Sequence, residues 1–90
     1  MNTLLITYNL NNHDDDYQKL FTAIEALGET WHDGTKLDSV WFVKTTAAPK
    51  AARDRLRTAL DRDDNCVIVD ITGASHAGWM PKEFWTWFNA

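Results

Sequence analysis

Leu4-Leu5-Ile6-Thr7-Tyr8-Asn9-Leu10 decides how the rest of the chain is read. It is rich in β-forming residues, and near its start both faces are apolar, so it reads as a strand of a covered sheet. Leu4, Ile6, Tyr8 and Leu10 share one face; Leu5, Thr7 and Asn9 share the other. Two later runs have the same character: Ser39-Val40-Trp41-Phe42-Val43-Lys44-Thr45 and Cys66-Val67-Ile68-Val69-Asp70-Ile71-Thr72. On the last, Val67, Val69 and Ile71 oppose Cys66, Ile68, Asp70 and Thr72.

The segments between them alternate in kind. Asn11-Asn12-His13-Asp14 is turn chemistry. Tyr17, Leu20, Phe21, Ile24 and Leu27 then form a helical stripe, with Gly28 placed as the residue that ends it. Residues 29–33 read as a short edge strand carrying Trp31, followed by a turn at Asp33-Gly34. Pro49 suits the first turn of a second helix over residues 47–61, with Ala52, Leu56, Ala59 and Leu60 as its apolar stripe. Asp63-Asp64-Asn65 is a turn, and residues 73–78 are a loop. Residues 81–89 fit two patterns: Phe84, Trp85 and Phe88 suit a helical face, whereas Trp85 and Trp87 alternate like a strand. The order is β-α-β-β-α-β plus an aromatic C-terminal segment. That predicts an α+β, ferredoxin-like domain over residues 1–90, with a four-stranded antiparallel sheet and two helices on one face. The other face, predicted to hold Leu5 and Ile68, then needs a cover, and dimerisation is the simplest one.

Composition narrows the function classes. The 90 residues carry one cysteine, which forbids an intramolecular disulfide framework. Met1-Asn2-Thr3 has no basic stretch, and the apolar run behind it is too short for a signal peptide or a membrane span, so a cytoplasmic protein without membrane contact is expected. A hydrophobic fraction of 44% excludes a disordered chain. Gly28, Gly34, Gly73 and Gly78 form neither a dinucleotide fingerprint nor a phosphate-binding loop. Cys66 reads as a small core residue rather than a nucleophile, and Ser75-His76 are too close in sequence to form a hydrolytic pair by local geometry. The oxygen-rich run from Asn11 to Asp16, with Asp14 and Asp15 as the weak metal candidates, is accounted for by helix capping.

Net charge −4 argues against a uniformly basic nucleic-acid binder, but the charge is unevenly spread. Between Lys44 and Arg62 six cations face Asp54 and Asp61, a net +4 that leaves −8 for the remainder. Lys50, Arg53 and Arg57 fall on one helix face and are the candidate phosphate contacts, against the plainer reading of a solvated helix face. Trp79, Trp85, Trp87 and Phe88 crowd the C-terminal end, where they either close over the chain's own core or dock onto a partner.

The chain resembles the small ferredoxin-like proteins of CRISPR adaptation, and more closely their SinR-like relatives. The resemblance spans nearly the whole chain. It rests on Ile6-Thr7-Tyr8-Asn9-Leu10, on Ser39-Val40-Trp41-Phe42, and on Gly78-Trp79 with Pro81-Lys82-Glu83. It implies a homodimer whose sheets meet, with the C-terminal segment reaching the other protomer; Leu5, Asn9, Ile68, Trp79, Trp85, Trp87 and Phe88 are the interface candidates. In some members it also implies a magnesium- or manganese-dependent nuclease built on an aspartate directly after the strand-one tyrosine. Here Asn9 follows Tyr8, which keeps an oxygen but loses the charge that holds the metal. Ser39 matches the family's third-strand serine. The resulting expectation is a homodimer that binds DNA or RNA with nuclease activity weak or lost and no cofactor. A protein-binding scaffold dimer and a metal-dependent endonuclease are the alternatives.

Overall fold

The computed structural model describes residues 1–11, 15–34 and 37–90, and side chains at all of these except 15 and 16. Strands β1 (Asn2–Asn9), β2 (Glu29–Trp31), β3 (Val40–Thr45) and β4 (Asn65–Asp70) form one antiparallel sheet in the order β2-β3-β1-β4. Helices α1 (Asp15–Glu25) and α2 (Pro49–Leu56) pack on one face, and α3 (Lys82–Phe88) on the other. The architecture is α+β and compatible with the expected ferredoxin-like arrangement.

Strand β1 organises the sheet. Its even residues bond to β3, as the Tyr8 N–H donating to the Ser39 carbonyl at 3.3 Å shows. Its odd residues bond to β4, as the Ile71 N–H donating to the Thr3 carbonyl at 2.9 Å shows. The core lies under the helices: Leu4, Ile6, Leu20, Ile24, Val43, Ala52 and Leu56 are fully buried together. Pro49 opens α2 as expected, at a position where its missing N–H costs nothing. The helix is shorter than the predicted 47–61. It tightens into a 3-10 turn over Arg57–Ala59 and stops at Leu60, whose backbone is extended.

Two expectations are corrected. Gly28 does not end α1 in a left-handed conformation; of the glycines, Gly73 is the one with positive φ. Gly28 is required because the α1–β2 turn presses on β3: a methyl group there would overlap the Lys44 carbonyl. Leu5 and Ile68 do not share a sheet face. The register sets Ile68 opposite Ile6 and Val69 opposite Leu5, so Ile68 packs against the helix-side core while Val67 and Val69 lie on the far face with Leu5. Each strand's faces were readable from its alternation, but which face matched which was not, because that depends on the register.

The far face is covered in part by the chain's own C-terminal end. Residues 81–89, ambiguous between helix and strand, form α3. Phe84 is 2% exposed and packs against Phe42 at 4.9 Å and Trp31 at 5.5 Å between ring centres. The helix end is pinned to the strands by polar contacts. Trp87 Nε1 donates to Glu29 Oε1, and Lys44 Nζ donates to the Trp87 carbonyl while lying over the Trp87 ring. A cation beside the last carbonyls of a helix is favoured by the helix dipole.

Candidate nucleic-acid interface

Helix α2 is an amphipathic element of few residues. Ala52 and Leu56 enter the core, which leaves Lys50, Arg53 and Arg57 exposed along its outer side. Arg53 donates from Nε at 3.2 Å and Nη2 at 3.0 Å to Asp54, a pair with both side chains more than half exposed and so of small energy. The three cations border a cleft between α2 and β4. One part, about 340 Å³, is lined by Lys50 and Arg53 above Leu56, Leu60, Cys66 and Ile68. It continues past Arg53, Arg57, Arg62, Asp61 and Asp64. Lys44, counted in the basic stretch of the sequence, is not part of this strip: it sits on the opposite sheet face, spent on α3.

Cys66 is half-buried in the same cleft, and burial pushes its thiol up from the ordinary range. Asp70, near the end of β4, accepts from the Thr72 hydroxyl at 2.6 Å and the Thr72 N–H at 3.0 Å, which hold its carboxyl below the usual range.

Of the residues where the resemblance implies a metal site, Tyr8 is committed to packing. Tyr8 is 6% exposed. Its hydroxyl donates to the Asp38 carbonyl at 2.9 Å and accepts from Trp41 Nε1 at 3.1 Å. Burial pushes this phenol up to about 12. Asn9 is exposed at the end of β1, opposite Asn65, and Ser39 contributes its backbone carbonyl to Tyr8. Asp14 and the Asp15 side chain lie outside the described residues. Among the described residues, no three His, Cys, Asp or Glu side chains stand close enough to hold a metal ion.

Sequence reasoning missed the aromatic–polar knot around Tyr8. His32 stacks flat on Trp41, with ring centres 4.1 Å apart, and shares the Asp38 carbonyl through Nε2 at 2.9 Å. Nothing in the local pattern marks it, because its members lie on three separate segments.

The aromatic C-terminal candidates divide. Trp85, Trp87 and Phe88 are half-buried: Trp87 and Phe88 meet Trp31 and Phe42 of the chain's own sheet, Trp85 packs on Phe84, Phe88 and His76, and Leu5, Trp85 and Phe88 line an aromatic-walled cavity of about 350 Å³. Trp79 alone of the four is fully exposed. Among the described residues, no helix is long and apolar enough to cross a membrane. Comparison of the chain with family models, with curated proteins and with solved structures finds no match.

Proposed function

We propose that this chain is a ferredoxin-like, cytoplasmic nucleic-acid-binding module, akin to the SinR-like relatives of CRISPR adaptation proteins, that works as a homodimer and contacts phosphates without cutting them. The observation that supports this reading is the strip of Lys50, Arg53 and Arg57 along the outer side of α2. The three are spaced about one and two helical turns apart, roughly 4.5–10 Å along the axis, which suits successive phosphates of a strand. A net charge of −4 sharpens the point, because any attraction to phosphates must then come from a local basic strip and not from the chain as a whole.

The test is fluorescence anisotropy with labelled duplex DNA and duplex RNA across 50–300 mM salt. Binding should weaken steeply with salt, and alanine at all three cations should flatten the log–log slope by about two to three, close to one per lost phosphate contact. Absence of binding at the lowest salt, or an unchanged slope in the triple variant, would overturn the reading. The scaffold reading is favoured by one observation, the fully exposed Trp79 beside an aromatic-walled cavity. It predicts a dimer indifferent to nucleic acid.

A further inference from the structure

Strand β4 is an outer strand of the sheet, and it is poorly guarded. The residues that bond to β1 are its odd ones, because Ile71 pairs with Thr3 and the alternation runs back through Val69, Val67 and Asn65. The backbone N–H and C=O groups of Cys66, Ile68 and Asp70 therefore point outward, away from β1. An open edge of this kind is usually blunted by proline, lysine or a covering segment. Neither proline nor lysine occurs within Asn65–Asp70. Helix α3 covers the far face over β2 and β3, yet Val67 and Val69 on β4 remain 56% and 44% exposed.

We propose that this edge is an interface with a second copy of the chain, in which two β4 strands pair antiparallel about a two-fold axis at Ile68 and join two four-stranded sheets into one. It rests on the homodimer part of the reading above and assigns the surface.

Charge and parity select the occupant and the register. A two-fold axis perpendicular to the sheet keeps each face on its own side, so residues placed opposite one another must both be odd or both be even. Centred on Val67, the pairing sets Asp70 against Asp64 of the second copy, a like-charge clash. Centred on Ile68, it sets Asp70 against Cys66 of the second copy, and Cys66 shares its cleft with Arg53 and Arg57. Each copy then offers a carboxylate to the other's cations, twice by symmetry. On the far face, Val67 of each copy meets Val69 of the other, which gives each exposed valine an apolar cross-strand neighbour. The joint also brings the two Lys50–Arg53–Arg57 strips onto one side of a continuous sheet.

Disulfide trapping reads the register directly. Residues facing each other as a hydrogen-bonded antiparallel pair have Cα atoms about 5.5 Å apart, within the range a disulfide spans. The Asp70→Cys variant, with Cys66 native, should convert under diamide from monomer to a covalent dimer on non-reducing gels. So should Ile68→Cys in a Cys66→Ser background, where the two new thiols meet on the axis. Wild-type Cys66 should not cross-link, because the two copies of it stand four residues out of register, about 14 Å apart. The full-length, nucleic-acid-free protein is used throughout, with light scattering at micromolar concentration alongside. A dimer in solution with neither variant cross-linking overturns the β4 joint and leaves the dimer standing. A monomer overturns both. Equal cross-linking of wild type would also refute the Ile68 axis.

Discussion

Replacing Phe84 with alanine separates a C-terminal helix that belongs to its own sheet from one parked there until a partner arrives. The side chain is 2% exposed, with four ring centres near its own: Phe42 at 4.9 Å, Trp85 at 5.0 Å, Phe88 at 5.3 Å and Trp31 at 5.5 Å. Truncating a buried phenylalanine costs about 3–5 kcal/mol. Helix α3 has seven residues, well below the roughly 12–15 at which a helix begins to hold alone in water, so forming it and docking it are one event. Phe84→Ala should therefore remove most of what keeps α3 in place. For a domain of this size, 3 kcal/mol corresponds to a fall in Tm of about 12–24 °C if the whole fold reports it. The fall is smaller if α3 leaves first and the core under α1 and α2 persists. Thermal denaturation with tryptophan emission distinguishes these outcomes. Trp31, Trp85 and Trp87 belong to the α3 cluster, whereas Trp41 is buried on the opposite face. Early release of α3 gives a red-shifted emission at 25 °C before any global transition. A Tm within about 3 °C of wild type, with unshifted emission, would refute the claim that α3 is anchored on its own sheet.

Gly28→Ala should destabilise by about 3 kcal/mol or more, read as a lower urea midpoint, because the new methyl group collides with the Lys44 backbone and not with a side chain that could swing away. Tyr8→Phe should cost about 1–3 kcal/mol by leaving the Trp41 indole N–H and the Asp38 carbonyl without the hydroxyl between them. The Tyr8 phenol is raised from 10.0 to about 12 on folding, so its share of stability is complete below pH 10 and is lost as pH climbs through 12. Wild type should therefore weaken over that alkaline window by about 1.4 kcal/mol per pH unit more steeply than Tyr8→Phe in urea titrations at matched pH. Asp54→Ala should change Tm by less than about 3 °C, since the Arg53 pair is exposed, while tightening binding to duplex nucleic acid in the anisotropy assay by releasing that guanidinium.

How much of this was legible depended on how local the cause was. The three apolar strands and the α1 stripe were readable because alternation and 3.6-residue spacing are properties of a single segment. Pro49 marked the start of α2 for the same reason. The far end of that helix was not readable, since Ala59 and Leu60 continue the apolar stripe although the backbone has already turned. Segment 81–89 was ambiguous because Phe84, Trp85, Trp87 and Phe88 satisfy both periods. As a helix the segment sets Phe84 against Phe42 and Trp31 of the sheet face beneath, contacts that lie outside the segment's own pattern. The companions of Ile68 are not legible in β4 alone, because a register is a relation between two strands, not a property of one. The Lys50–Arg53–Arg57 strip was visible at once, as an intrahelical spacing. The removal of Lys44 from it was not, since that needed the position of α3.

The two ends of the molecule place their chemistry on opposite sides of the sheet, and this gives the functional readings separate handles. Helix α2 lies on the helix-side face with its cations directed over β4, while α3 and Trp79 occupy the far face and its rim. If the basic strip carries function, undocking α3 through Phe84→Ala should leave the salt slope of nucleic-acid binding unchanged at temperatures where the core stays folded. If the aromatic end carries function, the same substitution should abolish assembly while alanines at Lys50, Arg53 and Arg57 do nothing to it. An edge-to-edge β4 joint predicts a third pattern. Assembly survives Phe84→Ala, because Val67 and Val69 belong to a strand that α3 leaves exposed, and charge reversal at Asp70 weakens it by setting like charges against Arg53 and Arg57.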